Sequence, residues 1–351
     1  MFNNIYNNRK VFITGHTGFK GSWLVRWLQK MGAKLYGYSL EPPTKPSHYK
    51  LLNPDIHSTI GDIRDLANLQ KSINTAKPEI VFHLAAQPLV RLSYQNPIDT
   101  FSTNVMGTLN VLEACRQAPS VCAILNITSD KCYDNQEWIW GYRENDPMGG
   151  RDPYSASKGC SELLTSSYRQ SFFNNNETLL ASCRAGNVIG GGDWAEDRLI
   201  PDIIRAITLD KPVELRNPDS TRPWQHVLEP LSGYLLLGQK LLSGKNEYAE
   251  AWNFGPSEND VLSVEEVVKL FKEHWSKIQY KRSTSINNLH EAELLKIDSS
   301  KARQRLKWHP VWDKKKTIIH TVDWYKNYYE NNKINTDSDI AVFEKDMKIG
   351  N

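Results

Sequence analysis

The chain has 351 residues, 40% of them hydrophobic and 24% charged, which is enough for one large α/β unit or two domains with an ordinary core. Lys and Arg total 43 against 40 Asp and Glu, a formal +3; with no basic run, this balance argues against a nucleic-acid binder. No apolar stretch reaches the roughly 18 residues of a membrane span. The five cysteines show no metal-ligand spacing, so reduced thiols in the cytoplasm are expected and no metal site is assigned.

The polar opening "MFNNIYNNRK" leads straight into a strand and is read as part of the fold rather than as a signal peptide. "KVFITG" (10–15) is a strand that stops at Gly, and "WLVRWLQKMG" (23–32) has helical apolar spacing and a Gly stop. "AKLYGYSL" (33–40) is a second strand, "DLANLQKSIN" (65–74) a helix and "EIVFHLAA" (79–86) a buried strand. A long helix at 100–117, a strand at 121–129, a helix at 155–172 and a strand within 178–190 continue the alternation. That order predicts a Rossmann-type, doubly wound parallel α/β sheet. After Gly190 the chain turns polar and turn-rich, with helices at 229–244 and 263–275. A smaller mixed α/β substrate domain is expected over 188–351, with 1–187 and part of 228–257 forming the cofactor domain. The polar stretch "NNKINTDSDI" is expected to be partly mobile. Most of the 11 Trp are read as core; Trp138, Trp140, Trp194 and Trp224 could also floor a planar ligand.

"GHTGFKG" places Gly15, Gly18 and Gly21 between the first strand and its helix. A tight turn, close backbone approach and a helix N-terminus together suit a pyrophosphate. The spacing is G-x-x-G-x-x-G, and no acidic residue ends the second strand, where Ser39 stands instead. Cofactor binding is therefore expected to be weaker than where a carboxylate holds the ribose. Asp62 is a candidate for the adenine amino group, or simply a carboxylate at a helix entry beside Asp65. "YSASK" sets Tyr154 and Lys158 one turn apart on a helix. A nearby ammonium would lower the phenol from its usual pKa of about 10 and prepare it to take a proton. His83 reads as a satisfied core histidine.

With "GHTGFKG", "HLAAQPLVRLSY", "NITSDKCYDN", "DPYSASKG", "RAGNVIGGGDW" and "RPWQHVLEPLSGYL" in this order, the chain resembles the extended short-chain dehydrogenase/reductase family. Within it the chain looks like the nucleotide-sugar 4,6-dehydratases, and most like those acting on CDP-glucose. The resemblance implies a hydro-lyase that uses NAD. C4 of the sugar is oxidised, the C5 proton and C6 hydroxyl leave as water, and hydride returns to C6.

On that likeness Ser129, Asp130, Lys131, Tyr154 and Lys158 are the catalytic set. Asp130 would protonate the departing C6 oxygen, and Ser129 would hydrogen-bond the C4 oxygen beside Tyr154. Lys131 stands where dTDP-glucose members carry a glutamate. It would be the C5 base if neutral, or would stabilise the C4 enolate if charged. The implied NAD contacts are Gly15, Thr17, Gly18, Phe19, Lys20, Gly21, Ser39, Asp62, Ile63, Leu84, Ala85, Ala86, Gln87, Thr103, Thr128, Tyr154, Lys158, Arg184 and Gly186. Arg91, Ser129, Tyr142, Asn187, Arg216, Arg222 and Trp224 are the substrate candidates, the arginines for the diphosphate. The resemblance also implies a homodimer through helices 100–117 and 155–172, and a bacterial setting that supplies deoxysugars to surface polysaccharide such as lipopolysaccharide O-antigen. Another NDP-sugar 4,6-dehydratase and a 4-epimerase remain the alternatives; a 4-epimerase has no elimination step for Asp130 and Lys131 to serve.

Overall fold

The computed structural model describes residues 2–173, 178–257, 261–283 and 294–349. β1 (Lys10–Thr14) leads into α1 (Phe19–Lys30), β2 (Lys34–Ser39), α2 (His48–Leu52), β3 (His57–Ile60), α3 (Leu66–Ala76) and β4 (Ile80–His83). After α4 (Val90–Gln95), α5 (Pro97–Phe101) and α6 (Gly107–Arg116) are joined by a π-helical stretch, Ser102–Met106. β5 (Ala123–Ile127), α7 (Pro153–Tyr168) and β6 (Leu179–Ala185) follow. The second half holds β7 (Val188–Ile189), α8 (Leu199–Thr208), β8 (Val213–Leu215), β9 (Thr221–Pro223), β10 (Gln225–His226) and α9 (Leu228–Leu242). It ends with β11 (Ala251–Phe254), β12 (Val261–Ser263), α10 (Val264–His274), β13 (Tyr280–Arg282), α11 (Lys314–Asn331) and α12 (Thr336–Ile349).

The main sheet is parallel throughout, in the order β11-β6-β5-β4-β1-β2-β3. Its central strands are buried on both faces, which is why they read as continuous apolar runs. Phe12, Val81, Ile124 and Leu180 face α3 and α6, while Val11, Ile13, Phe82 and Leu125 face α1 and α9. Each such side chain contributes roughly 1.5–3 kcal/mol through burial. The edge strand β3, "HSTI", is largely exposed, so it carries no apolar period, and α2 is a single capped turn. Neither was legible in the sequence. Strand order reverses between β1 and β4, and this opens the crevice beyond their carboxyl ends.

α9 packs on β5 and β6, and β11 extends the same sheet beyond β6. Short pairs β10–β7, β12–β9 and β13–β8 form outside the main sheet. The expectation of a mobile tail is corrected. Thr336, Asp339, Ile340 and Phe343 are buried, and α12 lies along α1. Trp27 Nε1 donates to Glu344 at 2.8 Å, Arg26 Nε donates to Asp337 at 2.7 Å, and the rings of Trp27 and Phe343 meet edge to face. Ile340 and Phe343, with Met347 packed against the same core, give the helix the apolar face that docks it.

Candidate active site

The glycine turn shows which glycines the protein itself requires. Gly15 has φ +75°, and a Cβ there would lie 2.7 Å from the backbone nitrogen of Ala85. A Cβ on Gly21 would lie 2.1 Å from the carbonyl of Gly15. Turn and helix can pack this closely only with glycine at both positions. Gly18 differs: its Cβ would meet only the Gly15 carbonyl, at 3.4 Å. It is the N-cap of α1 and offers no side-chain cap, so amides at the helix start face an open cradle that a side chain would fill. Thr17 Oγ1 lies 2.8 Å from Ser39 Oγ and donates to Leu40 O at 2.9 Å, which ties the turn to the end of β2. A dinucleotide pyrophosphate fits this cradle.

Several expected cofactor contacts have other first partners. The Asp62 carboxylate accepts from Arg64 Nε at 3.0 Å and Nη2 at 2.6 Å, which holds it below the usual carboxylate range; Asp65 caps α3. The Ile63 side chain packs in the core against Gly107. The Gln87 side chain closes its own loop, donating to Leu89 O at 3.1 Å and Thr100 Oγ1 at 2.9 Å. Its backbone is clamped by Asn104, which also donates to Ser157 at 2.9 Å. Thr128 and Arg184 both bind Glu162, Arg184 at 2.8 Å, inside the core. Arg184 is thus a structural cation and not a wall of the cofactor cleft. Leu84, Ala85 and Ala86 do lie at the end of β4 beside the glycine turn, and Thr103 lies in the π-helical stretch. His83 bridges Thr14 Oγ1 at 2.7 Å and Thr108 Oγ1 at 3.1 Å, a satisfied core histidine.

Beyond β5 the chain makes a short 3-10 turn, Asp130–Cys132, capped by Ser129, whose Oγ accepts from Lys131 N at 3.2 Å. The same hydroxyl donates to Asp130 Oδ1 at 3.0 Å. Asp130 is 5% exposed. Burial pushes its carboxyl up, against the opposing pull of Lys131, Ser129, Lys20 and Arg222. A Cβ on Gly186 would lie 3.1 Å from Asp130 Oδ2, so the end of β6 closes on this carboxyl. Lys131 is half-buried beside it.

Tyr154 opens α7, which Asp152 caps by accepting from Ser155 N at 2.9 Å. The expected lowering of the phenol by Lys158 is corrected: burial pushes Tyr154 up to about 12, and the group that chiefly opposes this is the Ser129 hydroxyl. Lys158 is itself pushed down to about 8 by burial, with Glu162 and Cys132 opposing. Lys20 also reaches inward and is lowered to about 8, by burial and then by Arg198, while Asp130 opposes. Two residues that sequence reading missed stand here. Arg198, the N-cap of α8, lies near Tyr154 and pairs with Asp193 at 2.9 Å. Glu162 sits one turn after Lys158, a spacing visible in "KGCSE".

Of the substrate candidates, Arg222 approaches Asp130, and Arg91 and Arg216 meet at the carboxylate of Asp197. Asn187 lies between β6 and β7, and its carbonyl accepts from Gln225 N at 3.2 Å. Tyr142 is a correction. Its ring is stacked between Tyr133 and Trp138, and its hydroxyl is used by Gln136 N and Asn135, at 2.6 and 3.0 Å. Trp224 is another: its ring lies in the core and its Nε1 donates to Leu262 O at 3.1 Å.

A parallel sheet with a glycine turn at its switch point, and a Ser–Tyr–Lys set beside it, defines the extended short-chain dehydrogenase/reductase class. Residues 12–321 match the family model described as GDP-mannose 4,6 dehydratase, and the chain belongs to that family. It is 54% identical over 330 residues to the CDP-glucose 4,6-dehydratase of Salmonella typhimurium, a match covering 92% of both chains. It is 25% identical over 335 residues to the dTDP-glucose 4,6-dehydratase of Xanthomonas campestris, covering 89% of this chain and 92% of the relative. Among solved structures, the epimerase Mth375 of Methanothermobacter thermautotrophicus has a TM-score of 0.80 at 22% identity, covering 94% of this chain and 96% of that one. DesIV, a dTDP-glucose 4,6-dehydratase of Streptomyces venezuelae with NAD bound, has a TM-score of 0.75 at 22% identity, covering 92% and 97%. At that identity these two speak for the fold.

Proposed function

We propose that the chain is a CDP-glucose 4,6-dehydratase, a hydro-lyase that converts CDP-D-glucose to CDP-4-keto-6-deoxy-D-glucose and water. The observation that carries the dehydratase reading is Asp130, a buried carboxyl held toward its protonated form beside Ser129 and Tyr154. The choice of CDP-glucose rests on the 54% identity to the Salmonella enzyme over nearly the whole of both chains.

Gly15, Gly18, Gly21, Thr17 and Ser39 would hold NAD, which would supply the hydride acceptor for C4 and the hydride donor for C6. Tyr154 takes the C4 hydroxyl proton, with Ser129 hydrogen-bonded at the same oxygen. A phenol at about 12 is a weak acid at neutral pH, and among the charged groups around it Arg198 favours its deprotonation. Once C4 is a ketone, the C5 proton is acidic. Lys131 serves that step, as base if neutral or as a cation at the C4 enolate if charged. Asp130 delivers its proton to the C6 oxygen, and water leaves.

The chain's assembly is read from its surface. Ile98, Phe101, Met106, Leu163 and Phe172 are exposed on the helical courses of α5–α6 and α7; Ile98 is 85% exposed. Pairing of these two courses with those of a second copy would form a homodimer and bury that patch. Among the described residues, no helix is long and apolar enough to cross a membrane.

Incubation with NAD and CDP-glucose should give a nucleotide sugar lighter by one water, as read by mass spectrometry. An unchanged mass with CDP-glucose but loss of water from a dTDP-, GDP- or UDP-sugar would move the substrate, and no change with any would defeat the dehydratase reading. Since Ser39 and not a carboxylate ends β2, dialysed enzyme should lose activity and regain it with added NAD. Full activity after dialysis would show that the ribose is held by other means.

A further inference from the structure

The turn between Trp194 and α8 carries Asp197 with φ +56°, a left-handed conformation that aspartate adopts more readily than most residues. Its Oδ1 accepts from Arg216 Nη1 at 2.9 Å and lies 3.8 Å from Arg91 Nε. The two arginines come from distant parts of the chain: Arg91 from α4, after β4 of the main sheet, and Arg216 from the residue after β8. One anionic oxygen between two guanidinium groups is the contact that a phosphate oxygen makes. Asp202 on α8, which also pairs with Arg205, lies 3.3 Å from Arg216 Nη2, so Arg216 keeps a shared counter-charge when Asp197 lets go.

We propose that Asp197 stands in for the substrate's diphosphate: it bridges Arg91 and Arg216 in the free enzyme and gives them up when the nucleotide sugar binds. The idea rests on the nucleotide-sugar reading above and adds a residue that sets affinity. A diphosphate brings two charges against one, so it wins the exchange. A weaker anion, such as a nucleoside monophosphate, competes less well, and Asp197 thereby biases the site toward diphosphates.

The test is calorimetric binding of CDP at low salt, together with KM and kcat for CDP-glucose, in wild type, Asp197→Asn, Asp197→Ser and Arg216→Ala, with melting curves to verify folding. Both Asp197 variants should bind CDP roughly fivefold more tightly and show a lower KM, as expected when two partly exposed ion pairs no longer compete. Arg216→Ala should bind CDP tenfold or more weakly. Folded Asp197 variants that bind CDP no better than wild type, while Arg216→Ala is weakened, would overturn the stand-in and leave the diphosphate site intact. Unchanged CDP binding by Arg216→Ala would instead remove the diphosphate site from these arginines, and the stand-in with it.

Discussion

Asp130→Asn oxidises C4 of CDP-glucose at near the wild-type rate but eliminates water roughly 10²–10⁴-fold more slowly, the usual cost of losing a positioned general acid. The 4-keto nucleotide sugar then accumulates before the deoxy product, which single-turnover mass spectrometry resolves. The split follows from geometry. Tyr154 and Ser129 reach the C4 oxygen in the proposed arrangement, and the amide of Asn still accepts from Ser129, but it carries no proton for C6. Equal loss of both steps would give Asp130 a different task. The same change alters stability in a way that fixes the sign of the pKa shift. Burial raises the Asp130 carboxyl above its unfolded value of about 3.9. The folded chain then holds this proton more tightly than the unfolded chain. The stability gained is complete below the unfolded pKa and is lost as pH rises through the folded one. Asn has no charge to bury, so Asp130→Asn melts above wild type at pH 8, and the gap narrows toward pH 4. A variant that melts lower at pH 8 would mean that the carboxylate is stabilised as an anion.

The second large effect lies behind the site. Arg184 and Glu162 pair at 2.8 Å with side chains 4% and 3% exposed. Glu162 also accepts from Ser182 at 2.7 Å and from Thr128, while Arg184 donates to Tyr133 at 2.7 Å and to Glu144 O at 2.9 Å. Arg184→Met leaves Glu162 charged, buried and without its cation. The expected loss is about 3–5 kcal/mol, or a fall in Tm on the order of 10 °C for a chain of this size. Glu162→Gln combined with Arg184→Met removes both charges and should recover most of it, as a double-mutant cycle by denaturant melts would show. A double variant no better than Arg184→Met alone would place the cost in the lost contacts to Tyr133 and Glu144.

Residues near in sequence were the legible part of the site. The glycine turn, the Ser129–Asp130–Lys131 turn and the Tyr154–Lys158 helical pair are each set within one local element, where spacing dictates which side chains lie together. Tyr142 and Trp224 were misplaced because aromatic residues beside polar ones read equally well as ligand floor or as core. Stacking on Tyr133 and Trp138 decides the first, and a bond to Leu262 O decides the second. Arg184 was misplaced for a related reason. It ends a strand near the cleft, and alternation along β6 together with Glu162 on α7 turns it inward.

From the sequence alone came the alternating parallel architecture, the main strands and helices through β6 apart from the exposed β3 and the short α2 and α4, and the residue types that the chemistry needs, because hydrophobic period, glycine geometry and side-chain reactivity are local properties. Only the tertiary structure decided that α12 docks on α1, that Lys20 comes within Coulomb reach of Asp130, that Tyr154 is raised and not lowered, and that Asp197 joins Arg91 to Arg216. Each of these depends on burial or on a charge brought in from a distant part of the chain. Desolvation and Coulomb energy are set by what surrounds a group in space, and spacing along the chain does not encode that.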